Sequence, residues 1–136
     1  MGKINGTAEN ILLDSEVVDY IVEQGTDGIW TYRKWASGIV ECWGLTQYSV
    51  TPNQAWGDSH FYGTIDAIVF PEGLFINTPV LTVSVCDGSG TFFVSKRNTT
   101  AQNTGPIYAV TVAESKIAIS ATFSFSAKGR WKEREE

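Results

Sequence analysis

The segment that most restricts the fold is residues 28–44, with the sequence GIWTYRKWASGIVECWG. Apolar and polar side chains alternate over Ile29–Trp35 and again over Ile39–Trp43, and the turn residues 36–38 separate the two runs. Alternation with a period of two is the pattern of a half-buried strand, and two such runs around a short turn containing glycine predict a β-hairpin.

Both faces of this hairpin carry aromatic side chains. Strand alternation puts one set of residues on one face, Trp30, Tyr32 and Lys34, and a second set on the other, Ile29, Thr31, Arg33 and Trp35. A single two-sheet sandwich would leave one of these aromatic faces in water. We therefore expect a neighbouring copy of the chain to cover it, and predict a homotrimer.

The rest of the chain has the same short-period organisation. Apolar runs occur at residues 60–70, 80–88, 91–97, 107–115, 116–124 and 125–131, separated by polar or glycine-rich turns. The β-branched and aromatic residues of segment 17–25 favour a strand, with a short helix as the alternative. Strands and turns that recur every eight to twelve residues, without a helical period, predict an all-β chain folded as a small antiparallel β-sandwich.

The sequence also predicts how the chain is divided. Residues 1–18 are polar with one apolar patch and predict an N-terminal arm or linker, residues 19–132 form the predicted sandwich, and residues 133–136 are a charged tail. The segment 98–106 is a polar loop in which Ala101 is the one apolar residue before the closing proline. Segment 51–59 is a second predicted loop.

Composition excludes several classes of protein. A net charge of −5 with scattered basic residues argues against nucleic-acid binding, since phosphate contacts need clustered Lys and Arg. No run approaches the about 20 apolar residues of a membrane span, and the amino end lacks a signal peptide, so we expect synthesis in the cytoplasm and no membrane insertion. Two Cys and one His are too few for a structural zinc site, and we predict no metal and no cofactor.

The two cysteines lie in apolar alternating runs. Cys42 is in the hairpin and Cys86 is in segment 80–88. We expect buried free thiols, with a disulfide as the alternative, because no export signal places the chain in an oxidising compartment.

Three segments resemble C-terminal head domains of bacteriophage and prophage tail-fibre or baseplate proteins. They are DYIVEQGTDGIWTYRKWASGIVECWG at 19–44, IVFPEGLFINTPVLTVSV at 68–85 and FSAKGRWK at 125–132. The middle segment is similar to tail-fibre domains with an H-type lectin-like sandwich, in which Phe70 and Phe75 would close the core and Pro79 would start the next strand.

This resemblance implies a non-enzymatic virion component. Its partners would be two further copies of the chain, other phage tail proteins and a bacterial cell-surface glycan, and its location would be the virion tail after synthesis in the cytoplasm of the bacterial host. A trimeric receptor-binding head is the leading hypothesis. A purely structural trimerisation domain and a small glycan-processing enzyme are the alternatives.

Candidate ligand contacts lie in the two predicted loops and beside the first of them. Trp56 is a large aromatic residue in a predicted exposed loop, where it either anchors a ligand or packs beneath the loop. His60 lies close by, and the loop 98–106 offers donors and acceptors suited to hydroxyl-rich ligands. The predicted ligand-binding residues are Trp56, His60, Asn98, Thr99, Gln102 and Asn103.

No catalytic residue is predicted. His60 follows Asp58 and Ser59, but neighbouring residues on a strand point to opposite faces, so this trio is poorly placed to converge. A glycosidase would need two carboxylates about 5–10 Å apart, and Glu41 and Asp66 are the acids that lie within predicted strands.

Overall fold

The structure is a computed structural model, and it describes residues 18–88 and 92–134. Within these residues the chain forms nine strands, in the order β1 (Ile21–Asp27), β2 (Trp30–Trp35), β3 (Ile39–Val50), β4 (Gln54–Trp56), β5 (His60–Ile65), β6 (Val80–Gly88), β7 (Phe93–Lys96), β8 (Ile107–Thr111) and β9 (Ile119–Arg130). All pairings between these strands are antiparallel. The all-β prediction is confirmed.

The strands belong to two sheets. The five-stranded sheet has the order β1-β2-β3-β9-β6, and the four-stranded sheet has the order β4-β5-β8-β7. The longest ladder joins β3 to β9 along twelve residues of each strand, from the pair Ile39 and Arg130 to the pair Val50 and Ile119. In the part of the chain that the structure describes, no helix is long and apolar enough to cross a membrane.

One apolar core holds the two sheets together. The five-stranded sheet contributes Val40, Phe123 and Phe125, and the four-stranded sheet contributes Ile107 and Ala109, all at most 1% exposed. These side chains come from alternate positions of their strands, as the period-two patterns of the sequence require. The two sheets therefore pack face to face as a sandwich.

The predicted hairpin is present at the predicted residues. Lys34 pairs with Val40 and Thr31 pairs with Trp43, while the N–H of Gly38 donates to the Trp35 carbonyl at 2.9 Å. Gly38 has φ of +102°, a backbone conformation that side-chain-bearing residues rarely adopt. The turn thus depends on a glycine at this position.

The closing motif GRWK lies against this turn. The Arg130 side chain donates to the Ser37 carbonyl at 2.9 Å, and the indole N–H of Trp131 donates to the Trp35 carbonyl at 2.8 Å. The backbone N–H of Trp131 also donates to the Gly38 carbonyl at 2.9 Å. Two motifs that are far apart in the sequence therefore form one structural unit.

The segment around residues 70–79 closes the core, as expected. Phe70 and Phe75 are 2% and 5% exposed, and their ring centroids lie 5.0 Å apart. Trp30 packs on Phe70 at 5.2 Å and donates its indole N–H to the Val69 carbonyl at 2.8 Å. Pro79 directly precedes β6, so its missing N–H falls before the ladder begins.

Several predicted boundaries are wrong. The predicted loop 51–59 contains a strand, β4, which pairs with β5 as the first arm of a second hairpin. The predicted strand 60–70 ends at Ile65, and beyond it Val69 forms an isolated bridge with Asn103. A single sequence pattern covers both the paired and the unpaired part of that segment, which explains the error.

Other predictions fall partly or wholly outside the described residues. The predicted arm lies outside them except for Val18, as do residues 89–91 of the glycine-rich turn after β6 and the last two residues of the charged tail. The division into arm, sandwich and tail therefore stays a prediction.

Both cysteines are free thiols. Cys42 is fully buried, and burial raises the pKa of its thiol to about 12, because the thiolate would lose its hydration. Cys86 is exposed, which corrects the expectation that both thiols are buried. It lies at the register shift of β6 between Val85 and Asp87, and its thiol donates to the Thr122 carbonyl at 3.5 Å.

Candidate functional site

The outer face of the four-stranded sheet carries a cluster of aromatic side chains. On β8, Ile107 and Ala109 point into the core, so Tyr108 and Val110 point outward. The register then sets Tyr62 of β5 beside Val110. Trp56 of β4, Ser95 of β7 and Arg97, the residue that follows β7, lie on the same face.

These residues enclose a shallow cavity of about 240 Å³. Its lining consists of Trp56, Tyr62, Ser95, Arg97, Tyr108 and Val110, and we call this group the aromatic cradle. The cavity is somewhat smaller than the about 300–1,000 Å³ pockets that hold drug-sized ligands, so a molecule enclosed by it would be smaller than these.

Two rings of the aromatic cradle, those of Tyr62 and Tyr108, pack against each other. Tyr62 and Tyr108 meet edge to face, with centroids 5.4 Å apart and planes at 90°. Val110, which also lines the cavity, is only 1% exposed, although it lies on the outer face of the sheet and outside the main core cluster. The cradle therefore includes a buried apolar side chain of its own, while Trp56 remains 58% exposed.

A second aromatic row extends the cradle at one end. His60 pairs with Trp56 across β4 and β5, and their ring centroids are 5.8 Å apart. On its other side His60 contacts Phe93, which is 52% exposed, at 6.0 Å. Exposed aromatic rings in a contiguous group are characteristic of interaction surfaces.

Arg97 closes the opposite end of the cradle. Its Nε donates to the Tyr108 hydroxyl at 3.0 Å, and its guanidinium carbon lies 5.5 Å from the centroid of the same ring. The two contacts hold the guanidinium beside the cavity through a hydrogen bond and a cation–π interaction.

The predicted site residues separate into two groups. Trp56 and His60 lie together at the cradle, whereas Asn98, Thr99, Gln102 and Asn103 belong to the loop 98–106.

That loop uses much of its own hydrogen-bonding capacity. The Thr99 hydroxyl donates to the Thr104 carbonyl at 2.9 Å, and the Asn103 side-chain oxygen accepts from the Gly105 N–H at 2.8 Å. The Gln102 carbonyl accepts the Phe70 N–H at 2.9 Å. The polar composition that predicted ligand contacts here serves largely to close the loop's own turns.

Sequence reasoning missed Tyr62, Ser95, Arg97, Tyr108 and Val110. The sequence contained a signal for part of this set. If Ile107 and Ala109 of a strand point into the core, the residue between them, Tyr108, has to point outward. What the sequence did not provide was the register that brings β5, β7 and β8 together.

The catalytic alternatives find little geometric support. Ser59 Oγ lies 3.0 Å from His60 Nδ1, which corrects the expectation that these neighbours point apart, since Ser59 lies in the turn before β5. The glycosidase pair is widely separated. Glu41 lies near the start of β3 and accepts a hydrogen bond from the Trp35 indole. Asp66 lies in a depression beside Tyr48, and Tyr48 is about 23 Å from Glu41 along β3.

Comparison with known proteins gives little guidance. No family model matches the sequence, and no curated protein matches it. Two solved structures are similar. One is a P. aeruginosa R1 pyocin fibre comprising its C-terminal residues, with a TM-score of 0.49 and 12% identity over 83% of this chain. The other is an N-truncated R1-type pyocin tail fibre, with a TM-score of 0.46 and 14% identity over 83% of this chain and 86% of that one.

The chain spans only 28% of the first of these two structures. Both identities are below 15% and both TM-scores are below 0.5, so these similarities carry no inference about the function of this chain.

Proposed function

We propose that this chain is a non-enzymatic receptor-binding head of a phage or prophage tail, and that it binds a saccharide of the bacterial surface in the aromatic cradle. The observation that carries the proposal is the cradle itself, an outward-facing group of rings around a cavity of about 240 Å³. Sugar rings present flat apolar C–H faces that stack on aromatic side chains, while their hydroxyls bond to polar groups at the rim.

The placement in a phage tail rests on sequence motifs. The hairpin at 28–44 and the closing GRWK resemble tail-head domains, and in this chain the two motifs contact each other through Ser37, Trp35 and Trp131. In this proposal the protein is a component of the virion tail, other tail proteins are its partners, and the four-stranded sheet faces the host.

Saccharide binding is tested with tryptophan substitutions. Calorimetric titration of the full chain against a panel of oligosaccharides released from bacterial cell walls should give saturable binding. Trp56→Ala should weaken that binding at least tenfold, since an anchoring aromatic residue contributes more than about 1.4 kcal/mol. Trp43→Ala is the matched control, because Trp43 lies on the other sheet, stacked under Arg33.

Two results would refute the proposal. One is the absence of binding across the whole panel of oligosaccharides. The other is an affinity that Trp56→Ala and Trp43→Ala reduce equally.

Trimerisation is a second part of the proposal, and the aromatic faces of the first hairpin are not its best support. The outer face of the first hairpin is partly covered by the chain's own side chains, since Arg33 stacks on Trp43 at 5.3 Å and Trp35 bonds to Glu41. A neighbouring copy is no longer needed to cover these rings.

The open edge of β1 now offers the better surface for a neighbouring copy. Val18, Tyr20 and Val22 are 81%, 62% and 45% exposed beside a strand that, among residues 18–88 and 92–134, has a partner, β2, on one side only. Unpaired edge strands with apolar side chains favour association, and this edge alone would also suit a purely structural assembly domain.

Light scattering on the full chain tests the trimer. We expect three times the chain mass at micromolar concentration, and dissociation in Val22→Lys, because an edge lysine opposes strand pairing. Val112→Lys is the control, since Val112 is 68% exposed and directly follows β8 of the four-stranded sheet. A monomer in the unchanged chain would refute trimerisation and leave saccharide binding to its own test.

A further inference from the structure

We propose that the ligand of the aromatic cradle is an anionic saccharide, whose carboxylate or phosphate is bound by Arg97. This inference rests on the proposed saccharide binding and adds the chemical class of the ligand. Arg97 has three features that suit an anion, namely its charge, its orientation and its free donors.

Arg97 brings a charge that the cradle does not neutralise. Among the residues described, the cradle lining contains no other ionisable group than the two tyrosines, and no carboxylate lies within ion-pairing distance of Arg97. The net charge of the chain, −5, repels an anion at long range, so any attraction has to come from the local charge of Arg97. A lone cation at the rim of an aromatic cavity therefore has a local field that attracts an anion.

The guanidinium is held in one orientation. Its Nε–H donates to the Tyr108 hydroxyl at 3.0 Å, and the group lies over the Tyr108 ring at 5.5 Å. Tyr108 is in turn packed edge to face on Tyr62. An arginine that is already ordered loses little further conformational entropy when a ligand binds.

Four donors of this guanidinium remain for a ligand. Arginine has five N–H donors, and within the described part of the chain only the Nε–H has a partner. The two terminal nitrogens match the oxygens of a carboxylate or phosphate in a two-point contact. The Ser95 and Tyr62 hydroxyls, which also line the cavity, can serve the hydroxyls of the same sugar.

The opposing interpretation is that Arg97 only supports Tyr108. In that case removing the guanidinium would loosen the ring and weaken every saccharide alike. An anion-binding role predicts instead a selective loss, limited to charged ligands, and the two interpretations are therefore separable by ligand pairs that differ in charge alone.

The experiment is a calorimetric comparison on the full chain, with three probes. They are α-1,4-linked trigalacturonate, its neutral counterpart trigalactose with the same linkage, and a glycerol-phosphate trimer, which separates carboxylate from phosphate as the source of the charge. We expect at least one anionic probe to bind about tenfold or more tightly than trigalactose, because hydrogen bonds to charged groups are the stronger ones.

Two substitutions of Arg97 identify the responsible group. Arg97→Gln should reduce affinity for the anionic probe about 10- to 100-fold, and this loss should exceed the loss for trigalactose at least about fivefold. Arg97→Lys keeps the charge but loses the two-point geometry, so we expect an intermediate affinity for the anion. Thermal melting of both variants checks that the fold is intact.

The outcomes separate the anionic class of the ligand from saccharide binding in general. Equal affinity for anionic and neutral probes, or a uniform loss in Arg97→Gln, overturns the anionic ligand while leaving the saccharide site in place. The absence of binding by all three probes and by the cell-wall panel overturns both. A selective loss of affinity for the anionic probe supports the inference. The anion that binds more tightly then identifies carboxylate or phosphate as the preferred charged group.

Discussion

The close approach of Gly105 to the backbone at the end of β7 yields a quantitative prediction. Gly105 is buried and has φ of +73°, and an added Cβ would collide with the Arg97 carbonyl oxygen and fall 2.8 Å from the Asn98 carbonyl. Gly73 has almost the same φ, +72°, yet a Cβ there meets nothing within 4 Å. The two glycines thus share one conformation and differ in their surroundings.

The expected destabilisation follows from these surroundings. A side-chain-bearing residue in the left-handed region costs about 1–2 kcal/mol, partly offset by about 0.4–1 kcal/mol from the lower entropy of the unfolded chain. Gly73→Ala should therefore lower the free energy of unfolding by about 1 kcal/mol. Gly105→Ala must in addition displace backbone, at an overpacking cost of about 1–3 kcal/mol, so we expect a total of about 2–4 kcal/mol.

Urea unfolding followed by tryptophan fluorescence measures both variants, since Trp30 is buried in the core. The difference between them should be at least about 1 kcal/mol, or roughly 4 °C in melting temperature. Equal destabilisation would refute the close packing of the loop 98–106 on the end of β7. Because Arg97 lies at this contact, Gly105→Ala should also lower the affinity for anionic saccharides more than Gly73→Ala does.

Three further predictions concern the rest of the chain. A thiol reagent should label Cys86 in the folded protein and Cys42 only after unfolding, and equal labelling of both would contradict the burial of Cys42. The Tyr32 hydroxyl, and then Lys34, hold the pKa of Glu23 below its ordinary value. These contacts therefore stabilise the fold above about pH 4, and the stabilisation is lost as the pH falls through the lowered pKa. Glu23→Gln should make the free energy of unfolding depend less on pH in this acid range. Trp30→Phe should cost about 1–3 kcal/mol in urea unfolding, because the partly buried hydrogen bond to the Val69 carbonyl is lost and the smaller ring fills the core beside Phe70 less completely. A loss below about 0.5 kcal/mol, roughly the effect of a surface change, would contradict this role of Trp30.

The sequence predicted the local parts of the fold well. The first hairpin was found with its turn because both arms and the glycine lie within a few residues of one another. Phe70 and Phe75 were expected to close the core, and they do. The pairing of β3 with β9 was not predicted, since it joins residues far apart in the chain and no local pattern specifies such a register.

The candidate site was only half visible in the sequence. Trp56 stood out because a large aromatic residue in a polar segment is unusual, and it is indeed exposed. Arg97 and Tyr108 did not stand out, because an arginine after a strand and a tyrosine within one are ordinary. Their significance comes from sheet order, which sets β5 and β7 on either side of β8.

The position of β9 has a consequence for how the protein is made. This strand lies between β3 and β6 in the finished sheet, yet it follows both of them in the chain. While the ribosome is still synthesising residues 119–130, β3 and β6 each expose an unpaired edge, and the core lacks Phe123 and Phe125. The two sheets cannot be completed until residues 119–130 have left the ribosome, so folding should be slow, with high contact order, and aggregation during synthesis should compete with it.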